Sequence, residues 1–112
     1  MEQQELKFSL AQRATKTQQL NTLVSWLKGK ADWQSSSAIT TALGLHSRTI
    51  RSLANQSDGL IISAQGTPGY KHITNCTIAE LEMVMAKLDH ATQELAKRVT
   101  AIRKRYHARH TA

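Results

Sequence analysis

The sequence predicts a mostly helical α+β domain with a small β-hairpin, followed by one long C-terminal helix of coiled-coil character. Between residues 20 and 53, apolar residues recur at spacings of three and four, which is the period of amphipathic helices. Two runs rich in β-branched residues flank a cluster of turn formers between residues 59 and 74. Beyond residue 77, apolar residues keep a heptad spacing for about four heptads. A chain of 112 residues holds one domain of this kind.

Composition indicates a basic protein of the reduced cell interior. Lys and Arg number 15 against 8 Asp and Glu, which gives a net charge of +7 and makes a polyanion the first partner to consider. Cys76 is the only cysteine, so a disulfide framework is excluded. No apolar run reaches the length of a membrane span, and the acidic, polar first residues do not resemble a secretory signal. We therefore expect a cytoplasmic protein without a membrane partner.

The chain divides into three predicted parts. Residues 1–19 form a polar, partly helical extension with Leu6, Phe8 and Leu10 as its apolar anchors. Residues 20–76 form the folded domain, and residues 77–112 form a helix with a basic tail. Residues 98–112 carry five bases and no acid. Such a tail suits contact with nucleic acid, but it also suits a solvated helix end whose charge complements the helix dipole.

The first predicted helix of the domain carries Leu20, Leu23, Val24 and Leu27 on one face and ends at Gly29. A polar connection follows, in which Trp33 is expected to cover the core. The connection leads into the most informative segment of the chain.

Residues 36–55 predict two short helices joined by a tight turn, a helix-turn-helix. Ser36 is expected to cap the first helix, and Gly44 supplies the positive φ that reverses the chain. His46 or Ser47 is expected to cap the second helix, with Ile50 and Leu53 on its inner face. The outer face of the second helix then presents Ser47, Arg48, Thr49, Arg51, Ser52 and Asn55.

The run from residue 39 to residue 53 resembles the helix-turn-helix core of bacterial and phage winged-helix DNA-binding proteins. Gly44 and the apolar positions match that pattern, whereas Thr40 stands where the family usually carries alanine. Candidate strands at residues 59–64 and 70–74 flank a turn at residues 65–69. A hairpin in this place resembles the wing of the family, and Pro68 and Gly69 belong to a sequence that resembles the end of many such wings. The long helix that follows also resembles that of small prophage-encoded winged-helix proteins.

The resemblance implies that the second helix enters the major groove of DNA while the wing lies beside the phosphate backbone or the minor groove. Paired arginines among small polar residues fit such a groove, because arginine bonds guanine with two parallel hydrogen bonds. For Lys71 the alternative is a solvated strand residue. The expected DNA-contacting residues are Ser36, Ser37, His46, Ser47, Arg48, Thr49, Arg51, Ser52, Asn55, Gln65, Thr67, Lys71 and His72.

The last helix is predicted to begin at a capping box formed by Thr77 and Glu80. Its seam is expected to pair with a second copy of the chain, although packing on the chain's own domain is the alternative. An antiparallel pair, with Glu82 against Arg103, is favoured over a parallel pair that sets Arg98 against Arg103. The expected dimerisation residues are Ile78, Leu81, Met85, Leu88, Thr92, Leu95, Val99, Ile102 and Tyr106.

Catalytic motifs are absent from the sequence. It contains no glycine-rich phosphate loop, zinc-protease His pair or nucleophile elbow, and His107 and His110 lack further ligands for a metal. We expect no enzyme, no cofactor and no metal. The leading hypothesis is a dimeric, sequence-specific protein that binds double-stranded DNA at the nucleoid, as a transcriptional regulator or a phage or plasmid replication factor. The alternatives are a protein-interaction adaptor that uses the last helix and a non-specific DNA-packaging protein.

Overall fold

A computed structural model of the chain describes residues 14–111, with side chains described as far as residue 108. It is mostly helical, with one two-stranded antiparallel sheet and a long C-terminal helix, as predicted. The elements are α1 (Lys16–Lys28), α2 (Ser36–Leu43), α3 (Ser47–Asn55), β1 (Ile61–Ile62), β2 (Lys71–His72), a 3-10 turn (Ile73–Asn75) and α4 (Ile78–Thr111). The predicted anchors Leu6, Phe8 and Leu10 lie outside the described residues.

Helix α1 begins four residues before the apolar stripe. Thr15 caps it, because its hydroxyl accepts a hydrogen bond from the Gln18 amide at 3.2 Å while the Gln18 side chain accepts one from the Thr15 amide at 2.9 Å. Gly29 ends the helix, as predicted. The last residues of the polar extension are therefore helical.

Ser35, and not Ser36, caps α2. The Ser35 hydroxyl accepts a hydrogen bond from the Ala38 amide at 3.0 Å, and Ser35 has the extended backbone that a cap requires. The prediction for Ser36 was wrong by one residue, because Ser36 already has helical geometry. Its hydroxyl oxygen is buried and has no hydrogen-bond partner among the described residues.

The turn between α2 and α3 has the predicted geometry. Gly44 adopts a φ of 71°, and its amide donates to the Thr40 carbonyl at 2.8 Å. The Thr40 hydroxyl donates to the Leu45 carbonyl at 2.6 Å, so this threonine ties α2 to the start of the next segment. The connection fixes the orientation of α3 relative to α2.

The core lies between the first three helices and β1. Each of its fully buried leucines and isoleucines contributes on the order of 2 kcal/mol of transfer free energy. The buried cluster consists of Leu23, Leu27, Ile39, Leu45, Ile50, Leu53 and Ile61. It fixes the inner face of α3 and thereby determines which side chains of α3 point outward.

The strands are shorter than predicted, at two residues each, and they pair Ile61 with His72 and Ile62 with Lys71. Thr67 closes the loop between them, because its hydroxyl lies 2.7 Å from the Ala64 carbonyl and 3.1 Å from the Gly69 carbonyl. Tyr70 forms two backbone hydrogen bonds of 2.8 Å with Gln34. This bridge fastens the hairpin to the segment that leads into α2.

Gly69 is essential for this bridge. It has a φ of 154°, and a Cβ there would overlap the backbone of Gln34 and Ser35. We expect Gly69→Ala to lower the free energy of unfolding by about 2 kcal/mol or more, since backbone atoms cannot move aside cheaply. The matched control is Gly59→Ala at a φ of 83°, where no atom lies within 4 Å and only the left-handed strain of about 1 kcal/mol remains. Urea denaturation measures both variants, and equal losses would contradict a role for the close approach.

Helix α4 is 34 residues long, which corresponds to about 50 Å. The predicted capping box is present, with the Thr77 amide donating to Glu80 Oε1 at 2.8 Å and the Glu80 amide donating to Thr77 Oγ1 at 3.1 Å. Val84, which the heptad pattern did not select, is buried against the domain. No helix in the described range has the length and apolarity that crossing a membrane requires.

The predicted seam of α4 is largely uncovered within the described residues. Leu81 is half-buried and Thr92 is exposed, and the remaining seam residues are 46% to 76% exposed. Those exposed apolar residues are Ile78, Met85, Leu88, Leu95, Val99, Ile102 and Tyr106. The described part of the domain therefore does not provide the intrachain cover that was the alternative to a partner chain.

Candidate nucleic-acid interface

The outer face of α3 presents the predicted polar set to solvent. Ser47, Arg48, Arg51, Ser52 and Asn55 are exposed, and Thr49 is half-buried. The inner face is fixed in the core by Ile50 and Leu53, which lie about one turn apart. Within residues 14–108, neither arginine side chain forms an ion pair or a hydrogen bond, so both guanidinium groups are available to a ligand.

Helix α1 adds a base that is absent from the predicted set of DNA-contacting residues. Lys16 and Gln19 lie across a shallow cavity of about 210 Å³ from Arg48, Thr49 and Ser52. No acidic side chain lines this cavity, so Lys16 and Arg48 together provide a locally positive surface beside the outer face of α3. The sequence separation of 32 residues gives no signal for this proximity, which arises only from the packing of α1 on α3.

Of the predicted contact residues at the starts of α2 and α3, Ser37 and His46 are exposed, whereas the hydroxyl of Ser36 is buried. Ser37 is exposed in the first turn of α2, and His46 is exposed at the N-cap of α3, where its side chain makes no capping hydrogen bond. The Ser36 hydroxyl is buried, so Ser36 is not placed to contact DNA through its side chain.

Only one of the two predicted contact residues in the hairpin loop is fully exposed. Gln65 is exposed at its tip, and its carbonyl accepts a hydrogen bond from Lys87 of α4 at 3.3 Å. Thr67 is half-buried and its hydroxyl closes the loop, so it shapes the loop from within. Gln65 remains the candidate contact of this segment.

Lys71 and His72 are buried, at 7% and 4% exposure, so neither side chain lies at the surface where the prediction placed it. The resemblance to a wing predicts that both side chains are exposed beside the phosphate backbone or the minor groove. Strand β2 is instead covered on both sides, because α1 packs against it and Glu80 at the start of α4 covers Lys71. The His72 ring bonds the Thr74 hydroxyl at 2.8 Å. Burial, followed by the charge of Lys28, lowers the pKa of His72 below its usual value.

Lys71 belongs to a three-residue cluster with Glu80 and Trp33. Its ammonium lies 3.0 Å and 3.1 Å from the two carboxylate oxygens of Glu80 and 5.4 Å from the centre of the Trp33 ring. The Trp33 indole donates to Glu80 Oε2 at 2.9 Å. The cluster joins β2, the connection before α2 and the start of α4, so it fixes the direction in which α4 leaves the domain.

We expect the free energy of unfolding to depend on pH through the carboxylate of this cluster. The backbone amide of Thr77, and then the Lys71 ammonium and the Trp33 indole, lower the pKa of Glu80 from 4.5 to about 2. Because the pKa is lower in the folded chain, the stabilisation is fully present above pH 4.5 and is lost as the pH falls towards 2. Urea denaturation at pH 5, 3.5 and 2.5 should show a smaller loss for Glu80→Gln than for the unaltered chain. The control Glu94→Gln, at an exposed site on α4, should leave the pH dependence unchanged; equal curves for all three would contradict the prediction.

Comparisons with known proteins supply no relative. No family model matches the chain, and neither a curated protein nor a solved structure is significantly similar to it. Within the described residues, no group of three or more His, Cys, Asp or Glu side chains is placed to hold a metal ion. The functional argument therefore rests on the geometry of α3 and its surroundings.

Proposed function

We propose that residues 20–76 form a winged helix-turn-helix domain that binds double-stranded DNA in a sequence-specific manner. Helix α3 enters the major groove, and the hairpin loop lies against the neighbouring backbone. The observation that carries this proposal is the pair of exposed and unpaired arginines, Arg48 and Arg51, on a helix whose opposite face is locked in the core. The protein acts through binding, without catalysis or a cofactor.

The rigidity of the surroundings supports sequence reading by α3. Buried apolar residues hold the inner face of α3, and the turn at Gly44 fixes the direction in which α3 begins. Guanidinium groups held on such a scaffold can form paired hydrogen bonds with guanine, and the adjacent Ser52 and Asn55 are small enough for close approach to the bases. The bridge between Gln34 and Tyr70 keeps the hairpin in a fixed position relative to α2. Base contacts therefore form without first ordering the protein.

The basic residues around α3 support contact with phosphate. Lys16 lies beside Arg48, and neither belongs to an ion pair within residues 14–108. Contacts of this kind release counterions from DNA, so the affinity should fall steeply as the salt concentration rises.

The uncovered seam of α4 supports a homodimer. Leaving several large apolar side chains in water is unfavourable, and a second copy offers the same heptad spacing. Two copies present two α3 helices, which suits an inverted repeat in DNA. We propose that such a dimer acts in the cytoplasm as a transcriptional regulator or as a replication accessory factor.

Selection from a pool of random duplexes with the full chain tests the proposal. The expected result is an enriched inverted repeat that binds more weakly as salt increases. Salt-sensitive binding of every duplex without enrichment would instead indicate a packaging protein. A chain that binds no duplex, and is monomeric by light scattering until another protein is added, would indicate an adaptor.

A further inference from the structure

The charges of α4 are divided along its length. Its four acids, Glu80, Glu82, Asp89 and Glu94, all precede residue 95, and all of its bases except Lys87 lie between residues 97 and 109. A parallel pair of helices would place the basic halves of two copies side by side. An antiparallel pair places the acidic half of each copy against the basic half of the other, which is the electrostatically favourable arrangement.

One antiparallel register aligns the apolar seam and these charges together. With Ile78 at position a, it places Leu88 opposite the partner's Val99 and Met85 opposite the partner's Ile102. In the same register Glu82 approaches the partner's Arg103, and by symmetry this pair forms twice in the dimer. In a parallel pair, the partner's Arg98 would face Arg103 instead.

The side of α4 that faces the hairpin carries position g of the heptads. Val84, at this position, is buried against the domain. Ala91 and Arg98, one and two heptads further on, line a groove of about 700 Å³ together with Ala64 and Gln65 of the hairpin loop. The antiparallel register brings the partner's position g to this same side.

A second cavity continues the groove towards α3. It measures about 250 Å³, and Asn55 at the end of α3, Ile62 of β1 and Val84 of α4 line it. Leu88 lines both cavities, so they adjoin along the seam. A helix that covers Leu88 therefore runs beside both the hairpin loop and the end of α3.

We infer that α4 pairs antiparallel with a second copy and that each copy supplies basic side chains to the DNA-binding surface of the other. The inference rests on the proposed function. In the register above, the partner's Arg105 lies level with Val84 and the partner's Arg98 lies level with Ala91. The partner's Arg105 is thereby placed beside Asn55, and the partner's Arg98 is placed beside Gln65. Asn55 and Gln65 are the two predicted DNA-contacting residues that border the groove.

This arrangement accounts for Arg105, a base that stands far along α4 from its own domain. Arg105 is 21 residues beyond Val84, which is about 30 Å along a helix. A parallel pair would leave both copies of Arg105 at that distance from either domain. Only the antiparallel pair returns them to a domain that reads DNA.

Spin labels test the orientation without DNA. Ala79→Cys and Gln93→Cys, each in a chain that carries Cys76→Ser, place a label at position b, away from the seam. Pulsed electron paramagnetic resonance should give an interchain distance of about 40 Å or more for the label at residue 79. The label at residue 93 should give about 20 Å or less, given a rise of 1.5 Å per residue. Two equally short distances would establish a parallel pair, and no interchain distance would establish a monomer; either result overturns the inference.

Charge exchange tests the register. Sedimentation equilibrium should show dimers weakened about three- to tenfold by Glu82→Arg or by Arg103→Glu, and restored when both changes are combined in one chain. In a parallel pair, Arg103→Glu would strengthen the dimer because it faces the partner's Arg98, and Glu82→Arg would have no effect. That outcome overturns the inference.

Alanine substitution tests the supply of basic side chains to DNA. The variant Arg105→Ala should bind the selected duplex at least about fivefold more weakly, because it removes from each composite surface a base that only the partner supplies. The matched control, Lys104→Ala, removes the same charge from position f on the outer side of α4 and should change affinity less than about twofold. Equal losses overturn the inference. If the unaltered chain binds no duplex, the proposed function fails, while the spin-label distances still decide the orientation.

Discussion

Replacing both Arg48 and Arg51 by alanine is expected to weaken binding to the selected duplex by at least about tenfold. A bidentate contact to a base contributes about 1 to 3 kcal/mol, so the loss of two such contacts can exceed a hundredfold. The fold should not change, because both side chains are exposed and form no ion pair or hydrogen bond within residues 14–108. Fluorescence anisotropy at a fixed salt concentration measures the change, and circular dichroism checks the fold.

The variant Arg48→Lys with Arg51→Lys separates reading of bases from attraction to phosphate. Lysine keeps the charge but lacks the planar fork that pairs with guanine. We expect this variant to retain the salt dependence while it loses discrimination between the selected duplex and a scrambled one. Unchanged affinity in the alanine variant would show that α3 does not read DNA, and full discrimination in the lysine variant would limit the arginines to phosphate contacts.

Local and periodic features of the fold could be predicted from the sequence. Gly44 was identified because a reversal within three residues requires a left-handed backbone, and it adopts one. The start of α4 was identified because the capping pair at Thr77 and Glu80 is a contiguous four-residue pattern. The same kind of pattern at Thr15 and Gln18 marks the start of α1, four residues before the apolar stripe that predicts the helix. Each of these features depends only on residues close together in the chain.

Features that depend on packing could not be predicted. Three consecutive serines stand at the start of α2, and only the backbone geometry decides that Ser35 is the cap. The resemblance to a wing predicts an exposed Lys71, and its burial, which is rare for lysine, follows from Glu80 of α4 lying above it. Lys16 joined the candidate interface through the packing of α1 beside Arg48. The errors in the predicted site therefore lie where two elements distant in sequence meet.

The second large effect is expected from Leu95→Glu combined with Val99→Glu in the seam of α4. Both side chains are exposed in the single chain, at 57% and 46%, so charging them should leave the domain folded. In a dimer they would bury four carboxylates in an apolar interface, which is strongly unfavourable. Analytical ultracentrifugation should therefore find a monomer at concentrations where the unaltered chain is a dimer.

The loss of the dimer should also weaken DNA binding, because the dimer joins two DNA-binding domains. Once one α3 helix is bound, the second binds its half-site at a high effective concentration, which raises affinity for an inverted repeat by about a hundredfold or more. The Leu95→Glu, Val99→Glu chain should lose that factor on the repeat. The matched control, Gln93→Glu with Thr100→Glu, adds the same charge at position b on the outer side of α4 and should remain a dimer with only a modest loss of affinity. If the seam variant remains a dimer, α4 is not the interface; if it becomes monomeric yet binds the repeat as tightly as the control, the two α3 helices do not read DNA together.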